Sequence, residues 1–139
     1  MEQRNKAVAR RFLEETAERN REAAYAHSCT EEYREHDPAM ERETVGLAEA
    51  VRIYRELMAA FGLRHTAQSV IGEGDLVGAR FIVRGHHTGT YQGFPPTGRR
   101  FEVSGQITLR FRGGKIAECW LNWDVQGAME QLRPPPPSG

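Results

Sequence analysis

Apolar positions recur with a helical period in the first half of the chain and with a period of two in the second. Val8, Phe12 and Thr16 fall every fourth residue, with Ala9 and Leu13 beside them, which predicts an amphipathic helix over 2–20. A second short helix is expected at about 21–29. It leads into "CTEEYREHDPAM", where Pro38 interrupts helix and demands a turn. Leu47, Val51, Tyr54, Leu57, Met58 and Phe61 line one face of a third helix over about 45–61, and Gly62 suits the left-handed position after its end.

From about residue 64 the alternation becomes that of strands. "DLVGARFIVRG", "RFEVSGQITLRFR" and "KIAECWLNWDVQ" read as strands, with an earlier one near 64–73, and "YQGFPPTGRR" is a connection punctuated by Pro95, Pro96 and Gly98. There are no internal repeats. Helices first and strands later predict one α+β domain over 1–132, with three N-terminal helices packed on a curved antiparallel sheet. The tail "RPPPPSG", 133–139, is expected to be extended, polyproline-like and mobile.

The turn at Gly113-Gly114 orders the last two strands. Val103, Ile107, Leu109 and Phe111 share one face of the first; Ser104, Gln106 and Thr108 share the other. In the second, Cys119, Leu121 and Trp123 oppose Glu118, Trp120, Asn122 and Asp124. A two-residue loop mixes the apolar and polar sets, whereas a three-residue loop, Arg112-Gly113-Gly114, keeps them apart, and that register is preferred. Two arrangements then compete. Either the apolar face meets the helices and the polar face meets water, or the polar face lines a pocket beneath the helices and the apolar face buries against a second subunit. Trp120 on the polar face favours the second, with Cys119, Leu121 and Trp123 in a homodimer interface.

Composition narrows the function. The formal net charge of the 139 residues is zero, so neither a nucleic-acid groove nor a membrane surface is implied. Cys29 and Cys119 make no disulfide framework. The charged start "MEQRNKAVARRFLEE" lacks the apolar core of a secretion signal, so a soluble cytoplasmic protein is expected. His86 and His87 point to opposite faces of a regular strand and cannot chelate one ion, and no HxH or CxxC spacing exists, so no metal is expected. "GEGDLVG" lies between strands with no helix after it, which rejects a dinucleotide loop.

The segments "GEGDLVGARF", "GHHTGTYQGFPPTGRRFEV", "RFRGGKIAECWLNWD" and "MEQL" together resemble the SnoaL-like polyketide cyclase family, within the cone-shaped superfamily of ketosteroid isomerase and scytalone dehydratase. The match covers roughly residues 33–132. The resemblance implies a cone-shaped α+β barrel, usually homodimeric, with a ligand pocket at its wide end and no cofactor. It implies that Asp124 is the general acid/base of an intramolecular aldol condensation, with His36 of "YREHDP" near the pocket as a second catalytic group, and it matches His87 to the histidine of the family's G-x-H-x-G segment. The chain departs from the common pattern at His86 and in "AFGLRHT".

The chemistry needs few groups. A methylene between two carbonyls yields its proton to a partly desolvated carboxylate. Asn122, Gln106, Thr108 or a histidine would donate to the enolate, and Trp120, Tyr25, Tyr54, Tyr91 or Phe94 would wall the substrate. Arg99 or Arg100 would meet an anionic group. The expected ligand is a polyketide-like, carbonyl-rich small molecule. Water addition of the epoxide hydrolase or hydroxylase type in the same pocket, and a module that binds without turnover, are the rival readings.

Overall fold

The computed structural model describes residues 1–15 and 21–134. Helices α1 (Glu2–Glu14) and α2 (Arg21–Ser28) lead into strand β1 (Cys29–His36) and the short β2 (Thr44–Val45). Helix α3 (Leu47–Phe61) follows, then β3 (Arg64–Glu73), β4 (Leu76–His86), β5 (Arg100–Arg112), β6 (Lys115–Trp123) and α4 (Val125–Leu132). Thr16 and the rest of the helix expected to reach residue 20 lie outside the described residues, as does most of the proline tail. Gly62 takes the left-handed conformation after α3, with φ 53°. No helix among the described residues is long and apolar enough to cross a membrane.

Three features differ from the expectation. Residues 29–36 form a strand, so two strands separate the second helix from the third. The six-stranded sheet, in the order β2-β1-β6-β5-β4-β3, is mixed, because β1 runs parallel to β6. A fourth helix follows β6. The charged run of β1 hides its strand character, since only Cys29 and Tyr33 in it are fully buried. Pairing with β6 on one side and β2 on the other supplies the backbone hydrogen bonds.

The β5–β6 hairpin segregates its faces by a different device from the one expected. Gly113 and Gly114 both have positive φ, 58° and 79°, and make a two-residue turn that pairs Arg112 with Lys115. A bulge then pairs Phe111 with Ile116 but Arg110 with Glu118, leaving Ala117 as the extra residue. Beyond it Leu109 pairs with Cys119, Ile107 with Leu121, Thr108 with Trp120 and Gln106 with Asn122. The sets stay apart.

The apolar face is the one the helices cover. Phe12, Leu13, Tyr25 and Tyr54 from the helices share one core with Val77, Phe81, Val103, Ile107, Leu109 and Cys119 from the sheet, and Leu121 and Trp123 pack against it. The expected subunit interface on the Cys119, Leu121 and Trp123 face is therefore corrected: the chain's own helices already take that face out of water. Trp120 stays on the outer face because other side chains cover it. His36 stacks on it with ring centroids 5.4 Å apart, and the Arg110 guanidinium lies 5.1 Å from its ring.

Candidate active site

The expected site residues divide between the two sides of the sheet. His36, Trp120, Asn122, Gln106 and Thr108 lie on the outer face. His36 sits between two carboxylates, its Nε2 2.6 Å from Glu118 and its Nδ1 3.1 Å from Glu43, in an ion-pair cluster on the sheet's outer surface. Gln106 and Thr108 are exposed. Tyr25 of α2 and Tyr54 of α3 are core residues on the buried sides of their helices. Tyr25 meets Phe12, Tyr33 and Tyr54 edge-on, at centroid distances of 5.2, 5.9 and 6.0 Å.

Asp124 does not enter a closed chamber beneath the helices. Strand β6 ends one residue before it, and the chain turns into α4 with Asp124 as its N-cap. Its Oδ1 accepts from the Gly127 N–H at 2.8 Å, and the residue is exposed. Aspartate is among the strongest N-cap residues, which accounts for its place at the end of an apolar strand. The Asp124 N–H still donates to Ser104 O at 3.1 Å, so the cap is anchored to the sheet.

Helix α4 is what shapes a cavity here. Ala128 buries against the sheet, and the Gln131 side chain brackets the start of β5, accepting from the Glu102 N–H at 2.8 Å and donating to the Glu102 carbonyl at 3.1 Å. Between α4, the end of β6 and the turn after β1 opens a cleft of about 640 Å³. Trp123, Val125, Met129, Pro38 and Ala39 give it apolar walls; Asp37, Asn122 and Glu130 supply polar groups. Asn122, Trp123 and Asp124 border a shallower hollow of about 360 Å³ on the outer side with Arg80, Ser104 and Gln106.

Of the two carboxylates on the larger cleft, Glu130 is exposed and Asp37 is the one drawn back from solvent. It is half-buried; Oδ1 accepts from the Ala39 N–H at 2.9 Å and Oδ2 from the Trp123 indole N–H at 3.3 Å. The sequence carried a signal for it: once "YREHDP" is taken as a strand, Tyr33, Glu35 and Asp37 fall on one side and Arg34 and His36 on the other. Tyr33 donates to Glu35 Oε1 at 2.6 Å, on the helix-covered side next to Cys119. Burial pushes the Tyr33 hydroxyl and the Cys119 thiol well above their ordinary values, with Glu35 adding to both.

His87 lies at the same end of the sheet, 4 % exposed, in the connection after β4. Its Nδ1 is met by the Thr97 N–H at 3.3 Å and the Thr97 hydroxyl at 3.2 Å, while its buried Nε2 has no hydrogen-bond partner among the described residues. His86 points the other way and bonds the Gly98 carbonyl at 3.1 Å. Among the described residues no group of His, Cys, Asp and Glu is arranged to hold a metal ion.

The family model described as SnoaL-like polyketide cyclase matches residues 7–132. Among solved structures, a protein of Jannaschia Sp. CCS1 superposes with a TM-score of 0.88 at 22% identity, over 97% of this chain and 95% of that one. AclR of Streptomyces galilaeus gives 0.77 at 25% identity, over 100% and 87%. IdmH of Streptomyces antibioticus gives 0.67 at 28%, over 79% and 85%. They are described as a "putative SnoaL-like polyketide cyclase", a "putative hydroxylase" and a "putative polyketide cyclase" respectively. No curated protein matches the chain.

Proposed function

The chain belongs to the SnoaL-like polyketide cyclase family, and on that premise we propose a cofactor-independent enzyme that closes a ring in a carbonyl-rich small molecule by aldol chemistry. The observation that carries this reading is the 640 Å³ cleft with a half-buried, doubly hydrogen-bonded carboxylate, Asp37, set among apolar walls. A carboxylate takes the proton from a carbon between two carbonyls, and the electron pair moves into an enolate. The enolate carbon attacks a second carbonyl, one C–C bond forms, and the proton returns to the new alkoxide. Nothing is oxidised or reduced. Holding nucleophile and carbonyl together is the cleft's larger contribution, and the Asn122 amide on its wall is placed to donate to developing negative charge.

Two aspartates compete for the proton transfer. Asp124 is the one the family resemblance names, but it is exposed and committed to capping α4. Asp37 is half-buried and lines the cleft where a substrate would lie, and it therefore takes the role in this reading. The chromogenic elimination of 5-nitrobenzisoxazole, in which a base removes a carbon-bound proton as the N–O bond breaks, reads such a base without knowledge of the natural substrate. Asp37→Asn should lower the rate about 100-fold or more, with Asp124→Asn close to the parent. The reverse pattern returns the role to Asp124. A parent protein no faster than the double variant sinks the enzymatic reading and leaves a module that binds without turnover.

A second reading, addition of water in the same cleft, draws on the 25% identity to AclR and on the cleft's opening to solvent. Oxygen-18 water separates the two, since only hydration places solvent oxygen in the product.

A further inference from the structure

His87 presents a donor for which the described residues offer no acceptor. A backbone N–H can only donate, so the Thr97 N–H at 3.3 Å requires a bare lone pair on Nδ1. Facing that bare lone pair at 3.2 Å, the Thr97 hydroxyl can only donate to it, while its oxygen accepts from the Arg99 N–H at 3.2 Å. A neutral imidazole with Nδ1 bare carries its proton on Nε2. That N–H is buried and unpartnered, a state that folded proteins seldom leave without a purpose. The main chain that carries the ring is held on both sides. The His87 N–H donates to Arg99 O and its carbonyl accepts from the Gly98 N–H, both at 2.9 Å.

The surroundings say what kind of molecule would complete it. The imidazole packs against Phe61 with centroids 4.8 Å apart; Phe61 meets Tyr91 at 5.3 Å and Phe101 at 6.0 Å. Phe101 in turn lies 6.5 Å from Trp123, a wall of the 640 Å³ cleft. Packed aromatic rings thus link one wall of the cleft to the His87 imidazole. We infer that His87 is a substrate-binding residue whose Nε2–H donates to a carbonyl or enolate oxygen of a flat, ring-bearing ligand lodged along the Phe61–Phe101–Trp123 row. Thr97 is a positioning residue that holds the required tautomer. The inference rests on the reading of the cleft as the substrate site, and it requires the Phe61 and Tyr91 rings to part as the ligand enters.

The probe is 2-naphthol, a flat bicycle with one oxygen, with naphthalene as the control that lacks it. Imidazole ¹⁵N–¹H spectra of the whole chain should show the His87 proton on Nε2, and 2-naphthol should move that resonance. His87→Phe keeps a ring against Phe61 and removes the donor. It should weaken 2-naphthol about tenfold, the loss of one hydrogen bond, and leave naphthalene unchanged. Thr97→Pro, which removes the backbone N–H that claims Nδ1, should let the proton redistribute between the two nitrogens, whereas Thr97→Val keeps that N–H and should leave the proton on Nε2. A proton found on Nδ1, an Nε2–H indifferent to saturating 2-naphthol, no binding of 2-naphthol, or equal affinity in His87→Phe each overturns the inference. If any of these occurs while Asp37→Asn still abolishes the elimination of 5-nitrobenzisoxazole, this inference alone fails. If the elimination is absent as well, the reading of the cleft falls with it.

Discussion

At Asp124 a single side chain has a structural duty and a nominated chemical one, and substitutions can separate them. As an N-cap it satisfies the Gly127 N–H at 2.8 Å, one of the donors that the first turn of a helix leaves unpaired. Asparagine caps as well as aspartate, whereas alanine forfeits the bond at about 1 kcal/mol. Asp124→Ala should therefore lower the unfolding free energy measured in urea by that amount while Asp124→Asn stays within a few tenths. Equal losses in both would mean that the negative charge, and not the hydrogen bond, holds the start of α4. Gly127 belongs to the same local design, since a Cβ there would collide with the Asp124 carboxylate. This cap was open to sequence reasoning, because Asp followed by "VQGAMEQL" is an N-cap before a helical stretch. A glycine in the first turn, with its low helix propensity, obscured it.

At the level of elements, the strands of the second half were legible because their alternation is unbroken. The expected 64–73 strand is β3, and the α3 face from Leu47 to Phe61 packs on the core as its spacing implies. What periodicity does not encode is which face of a segregated sheet the helices take. Trp120 argued for the polar face, but its cover comes from His36 and Arg110, one from a strand whose charges conceal it and one from its neighbour in the sheet. Asp37 was missed for the same reason, since its side of the chain is defined only once β1 is a strand. Close approach within the sheet also escapes pattern reading. At Gly105, paired with Trp123 and Phe81, an added Cβ would enter the Phe81 ring and stand 2.9 Å from the Trp123 Cβ. Gly105→Ala should cost about 1–3 kcal/mol in urea unfolding and disturb the Trp123 wall of the cleft. A variant as stable as the parent would show that the Phe81 ring yields freely.

For the molecule as a whole, the core is apolar with acid groups held neutral inside it, and that sets how the fold responds to alkali. Tyr33 and Cys119 are both 0 % exposed, and burial raises each well above its ordinary value of 10.0 and 9.0. Above those ordinary values the unfolded chain releases protons that the folded chain retains. The unfolded state then binds fewer protons, and stability falls as pH rises. Their contribution is complete below pH 9.0, begins to fade as unfolded Cys119 ionises, and fades faster above 10.0 as unfolded Tyr33 follows. Urea midpoints measured from neutral pH to beyond 10.0 should be level at first and then decline. Cys119→Ala should remove the part of the decline that begins at 9.0 and leave the later part. Because the thiolate is the reactive form, Ellman's reagent should find Cys119 silent in the folded chain and reactive in urea at the same pH. A flat profile through both values, or a thiol that reacts without urea, would mean that water reaches Tyr33 and Cys119 and that the helix-covered face is not the sealed core on which the placing of the cleft depends.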